Sequence, residues 1–195
     1  MTDMKSAYER AMERADKIGK ASPEELKQME AGPAGNQIAA KYMKELGFDL
    51  ATEIEKYKGS GTRKQVIEGA MEILMRYLSL PTGSLAREPI NRAKQGILVL
   101  KENKKQVQGI FAQLDTLFNY YEQARQQTVT QIKQAVEQQM AQQARGTGGQ
   151  MGPQGRVDAT SQPQFREELT RSLQDLNRQY EQALQERKQR LLNTP

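Results

Sequence analysis

The chain has 195 residues, 29 basic against 24 acidic side chains for a net charge of +5, and neither cysteine nor histidine. With no Cys there is no disulfide framework or thiol chemistry, and with no His the commonest general base near neutral pH and the commonest metal ligand are missing, so zinc sites built on these residues are excluded. Counted with Gly and without Tyr, apolar residues make up about 40%, below the usual ~45–50%, which fits an elongated, thinly cored protein.

The start, MTDMKSAYERAMERADKIGK, alternates charged and apolar residues and lacks the continuous apolar core of a signal peptide. Met4, Ala7, Tyr8, Ala11, Met12, Ala15 and Ile18 form one helical stripe that Gly19 can cap. Ser22, Pro23 and Glu25 supply an N-cap, a first-turn proline and a capping-box acid for a short helix, PEELKQME, which AGPAG at 31–35 is expected to break. A helix from Gln37 to Leu46 should bury Ile38, Ala39, Tyr42 and Met43 and end at Gly47, and Asp49 can cap the next, which buries Leu50 and Ile54. KGSGT at 58–62 reads as a flexible joint.

Thr62 and Gln65 repeat the capping-box pattern ahead of a broad stripe, Val66, Ile67, Ala70, Met71, Leu74, Tyr77 and Leu78, the expected centre of an N-terminal core. Among these residues Met12, Met43, Met71 and Met75 read as core filler. LPTG at 80–83 ends that helix. The following one carries Ile90, Ala93, Ile97, Leu98 and Leu100, whose spacing favours helix over strand for the ILVL run. ILVL, at 97–100, is the longest uninterrupted apolar run in the chain, far short of a membrane span, and the protein is expected to be cytoplasmic with no membrane insertion. Asn103 is a point where the helix breaks or bends.

From 106 onward the pattern changes. Val107, Phe118, Val129 and Met140 form one row, Ile110, Tyr121 and Ile132 a second, and Leu169, Tyr180 and Leu191 a third, all stepping by eleven. An eleven-residue repeat gives an apolar stripe that runs nearly straight along a helix. Two arms, 106–145 and 164–192, are therefore expected to fold back on each other, about 60 and 44 Å long at 1.5 Å per residue. In the best self-consistent register Met140 meets Leu169, Val136 meets Leu173, Ile132 meets Leu176, Val129 meets Tyr180 and Phe118 meets Leu191, with Arg125 opposite Leu184 the poor match. Five Gly and two Pro in the nineteen residues from Arg145 through Pro163 make a mobile tip at 146–160, after which Ser161, Pro163 and Gln164 restart helix. Nine glutamines among residues 123–143 give the first arm a neutral solvated surface.

The fold class is thus all-α: a bundle of short helices over 1–105, then a long antiparallel hairpin over 106–195. The paired carboxylates Glu24, Glu25, Glu167 and Glu168 sit in first helical turns, where they favour the helix dipole. No Gly-Lys-Ser/Thr loop, metal-ligand spacing or dinucleotide fingerprint is present, and no enzyme activity or cofactor is expected. Gly148, Gly149 and Gln150 spell GGQ, the tripeptide of class I peptide release factors, and GTGGQ resembles their context. That resemblance covers five residues and would make Gln150 the functional residue of a peptidyl-tRNA hydrolysis reaction, the most distant of three readings.

Residues 62–105 hold nine basic and four acidic side chains and nearly all the net charge. A second reading therefore makes the protein nucleic-acid-associated, with Arg63, Lys64, Arg87, Arg92, Lys94, Lys104 and Lys105 on phosphates. The first reading is a non-enzymatic protein that associates with a protein partner or with itself through the hairpin. Its surplus apolar width places Phe111, Leu117, Phe118, Tyr120 and Tyr121 at the interface. Two stretches, SAYERAMERADKIGKASPEEL and RVDATSQPQFREELTRSLQDLNRQYEQALQERKQ, resemble an uncharacterised family of small all-helical bacterial proteins. The resemblance implies a soluble, bacterial helical protein and carries over no catalytic residue.

Overall fold

The computed structural model describes residues 23–83, 85–146 and 159–195. The expected helix over 4–18 and the GGQ tripeptide lie outside them. The described residues are all-α: α1 (Pro23–Lys44), α2 (Leu50–Glu55), α3 (Arg63–Tyr77), α4 (Arg87–Leu100), α5 (Lys104–Gly146) and α6 (Pro163–Asn193), with a 3-10 turn at Ala159–Ser161 and no strand. They form two compact units, one up to Leu74 and the other from Met75 to Pro195.

In the first unit AGPAG does not break the chain. The two short helices expected around it are one helix, α1, which carries Pro33 in its interior. Such a proline removes one backbone hydrogen bond and crowds the preceding turn, at a cost of about 3 kcal/mol in an isolated helix. Tertiary packing accounts for the continuity. A Cβ built on Gly35 would fall on the Val66 carbonyl, and one built on Gly69 would fall on the Gly32 carbonyl, so α1 and α3 cross with their backbones in contact. Ala31, Ala39 and Ala70 are buried in the same unit. Glycine here is a packing residue, chosen for its missing side chain rather than for its conformational freedom.

The next elements follow their capping residues. Gly47 takes φ +88° after α1. Asp49 Oδ1 accepts from Ala51 N and Thr52 N at 3.0 and 3.3 Å, and its other oxygen accepts a hydrogen bond from the Thr52 hydroxyl at 2.5 Å. These bonds hold the Asp49 carboxyl below its ordinary value, the Thr52 hydroxyl first among them. Leu50 and Ile54 are buried, as their spacing requires. In α3 the buried stripe is Val66, Ala70, Met71, Leu74 and Met75, while Tyr77 at the end is 36% exposed rather than part of the core.

The second unit is built on α5. The ILVL segment is helical, the end of α4, and the chain then leaves the helix at Lys101 (φ −93°, ψ 143°). Asn103 Oδ1 accepts from Gln106 N at 3.1 Å and restarts it, so α4 and α5 are separate helices. They are also antiparallel, which a repeated ladder shows. Lys94 Nζ donates to both oxygens of Asp115 at 2.7 Å. Seven residues back, Arg87 gives Nε and Nη2 to Glu122 at 2.9 and 2.7 Å and also donates to Asn119. Each cation lies 5.4 Å from an aromatic ring centre, Arg87 over Phe118 and Lys94 over Phe111. This packing ties residues 87–100 to the long arm, within the unit that runs from Met75, whereas the apolar pattern set the expected division at 105.

On another side of α5 lies α6, running the opposite way. Asn103 N donates to Pro195 O at 3.1 Å. Further along, Arg190 donates to Gln113 and Tyr121 OH donates to Asn177 Oδ1, both at 2.7 Å. Tyr121 also meets Tyr180 edge to face, with ring centres 5.4 Å apart. The expected register would have set Tyr121 opposite Lys188; its hydroxyl partner is Asn177, eleven residues earlier. The physical reason is the repeat itself. A pattern that recurs every eleven residues matches its partner equally well one repeat away, and specific polar pairs then choose between the alternatives. In the observed register Leu114 comes level with Leu184 and Val107 with Leu191, and all four are buried.

Candidate association surface

Beyond Glu122 no further α-helix among the described residues has a contact with the α5–α6 pair, the 3-10 turn at Ala159–Ser161 packs there, and the core shrinks. Ile132, Val136 and Phe165 form the buried cluster there, with Met140 and Leu169 packed against it and partly exposed. Val129, Leu173 and Leu176 are likewise only half-buried. Pro163 occupies the first turn of α6 as its fixed φ favours, and Gln162 is the N-cap, without a side-chain capping bond. A shallow groove of about 440 Å³ runs between the two helices, lined by Gln131, Ile132, Ala135, Val136 and Gln139 of α5 and by Gln164 and Glu168 of α6. Its floor is apolar and its rims are amide-rich. Lys133 and Glu137, 3.9 Å apart, are the charged pair on this stretch of α5. With Glu168 the one charged side chain in its lining, such a groove can accept another amphipathic helix provided that carboxylate stays at the rim.

The five residues placed at an interface by sequence do not form one. Phe111, Leu117, Phe118 and Tyr121 are buried in the unit's own core, at 8% exposure or less, and only Tyr120 stands out, at 61%. Their surplus apolar width is taken up inside the chain. Burial pushes the Tyr121 hydroxyl above its ordinary pKa, with Arg125 pulling the other way.

The seven cations proposed for phosphate also separate. Arg63 and Lys64 belong to the first unit, each 3.9 Å from a glutamate, Glu55 and Glu68. Arg87 and Lys94 are committed to Glu122 and Asp115. The hydrogen bonds from Arg87 hold the Glu122 carboxyl below the ordinary range, and the same pair raises Arg87. Arg92 is half-buried on α4 between these two, while Lys104 and Lys105 stand exposed at the start of α5. The sequence reading missed the α4–α5 ladder, although its signal was present: Arg87 and Lys94, Phe111 and Phe118, and Asp115 and Glu122 are each seven apart.

No group of three or more acidic side chains able to hold a metal ion occurs among the described residues, and no helix there is long and apolar enough to cross a membrane. The architecture defines an all-helical protein whose features are packing surfaces. The chain belongs to a family of unknown function, DUF6657, whose model matches residues 51–193, from α2 to the end of α6. No curated protein matches the chain, and no solved structure does.

Proposed function

We propose that this is a non-enzymatic association module that joins copies of itself, or a helical partner, through the distal part of the α5–α6 pair. The observation that carries this reading is the contrast in burial along α5: the segment over 107–121 is enclosed, while the distal segment keeps Val129, Met140, Leu169, Leu173 and Leu176 half-exposed around a three-residue core. Two helices alone bury one stripe each, and a four-helix arrangement would cover what they leave. The Gln-rich rims favour a neutral, close approach.

Light scattering over a concentration series tests this. The mass should rise above the 22.1 kDa of one chain as concentration increases. Val129→Gln combined with Leu173→Gln should hold the protein at one chain while circular dichroism keeps its helical signal. A mass fixed at one chain at every concentration, with no helical partner retained, contradicts the proposal.

A further inference from the structure

The register of α6 brings together two basic runs that are far apart in sequence. Lys101 Nζ donates to the Leu192 and Thr194 carbonyls, and Asn103 N to the Pro195 carbonyl, so the α4–α5 connection sits against the end of α6. Lys101 is thereby spent on the helix end, where a cation suits the dipole. Lys104 and Lys105 follow one turn later on α5, and Arg187, Lys188 and Arg190 lie within about 10 Å of the end of α6 along its axis. Among the described residues none of these five forms an ion pair, in contrast to Arg87 and Lys94. Arg187 gives one nitrogen to the Ala183 carbonyl at 2.7 Å, and its Nε is buried with no acceptor. Arg190 uses one nitrogen on Gln113 and is otherwise exposed. Desolvation pulls Lys188 below the ordinary lysine value against the opposing pull of Glu181. The acids nearby in sequence are Glu102, Glu181 and Glu186.

The geometry points to a phosphate-binding surface for nucleic acid, formed by Lys104 and Lys105 from α5 with Arg187, Lys188 and Arg190 from α6. Two guanidinium forks and three ammonium groups around this end of the α5–α6 pair offer phosphates both bidentate arginine contacts and point charges. A nucleic acid fits better than a membrane surface. Among the described residues Val99 and Leu192 are the large exposed apolar ones at this end, at 46% and 48%, and interfacial helices need a continuous apolar face.

Fluorescence anisotropy with short labelled DNA and RNA duplexes tests the surface in the full chain. With about four phosphate contacts, affinity should fall roughly 100-fold between ~50 and ~200 mM salt. Lys104→Gln with Lys105→Gln removes two exposed charges and should flatten the salt slope by about 2. Arg187→Gln, Lys188→Gln and Arg190→Gln together should remove most of the remaining binding. Arg166→Gln with Arg171→Gln, about 30 Å away on α6, should leave binding unchanged. If the triple variant loses helicity, the exposed lysine pair decides the question alone. No binding to either duplex at low salt overturns the inference. So does binding that survives all five substitutions, or binding to phosphatidylserine vesicles with none to nucleic acid.

Discussion

The two halves of α5 carry the same eleven-residue repeat and differ in what surrounds them. From Val107 to Tyr121 the helix lies against both α4 and α6, and Val107, Ile110, Phe111, Leu114, Leu117, Phe118 and Tyr121 are all at 8% exposure or less. From Val129 to Met140, among the described residues, α6 is the one α-helix against it, the 3-10 turn at Ala159–Ser161 also touches α5, and only Ile132 and Val136 are buried. Periodicity therefore decides which face of a helix is apolar, and the number of neighbours decides how much of that face leaves water. The enclosed half is where stability should reside; the open half is where a partner can still add to it.

The largest break in this comparison should come from Phe118→Ala, which empties a fully buried site and removes the ring under Arg87. The expected loss is about 3–5 kcal/mol in urea unfolding. Ile132→Ala in the open half should cost about 2 kcal/mol, the low end for such truncations, because a two-helix site can collapse around the gap. Equal losses at the two positions would erase the distinction. In the opposite direction, a Cβ on Gly109 meets nothing within 4 Å, so Gly109→Ala should stabilise the enclosed half by about 0.8–1 kcal/mol through helix propensity. Unfolding midpoints compared at constant m-value would show it.

The smallest effect is electrostatic. Glu122 is held below its ordinary value of 4.5 by Arg87, so its folded form favours the carboxylate. The stabilisation is fully present above pH 4.5 and is lost as pH falls through the lower folded value. With side-chain exposures of 27% and 41% across the pair, solvent screening limits it to about 1 kcal/mol or less. Glu122→Gln should remove that acid step from a stability–pH curve and leave the open half unaffected.

Much of the architecture was legible because it rests on local spacing. Asp49 as an N-cap, the helical ILVL run and the start of α6 at Pro163 each depend on a few neighbouring residues, whereas the choice between a break and a bend at Asn103 was left open. What was not legible depends on distant ones. AGPAG is a breaker by local rules, and only the backbone of Val66 across the crossing shows why it stays helical. The register expected from the repeat is displaced from the observed one, which distant polar pairs, Tyr121 with Asn177 and Arg190 with Gln113, hold in place. The same choice set Tyr121 against Tyr180 and brought the end of α6 to the start of α5, while Phe111 and Phe118 are covered by Lys94 and Arg87 of α4.

The most direct test of the central claim is hydrogen exchange along α5, measured as protein concentration is raised. Amides over 107–121 should be strongly protected and insensitive to concentration, whereas those over 129–143 should exchange faster in dilute protein and slow as association covers them. Uniform protection along the helix, or a distal half whose exchange ignores concentration, would contradict the account.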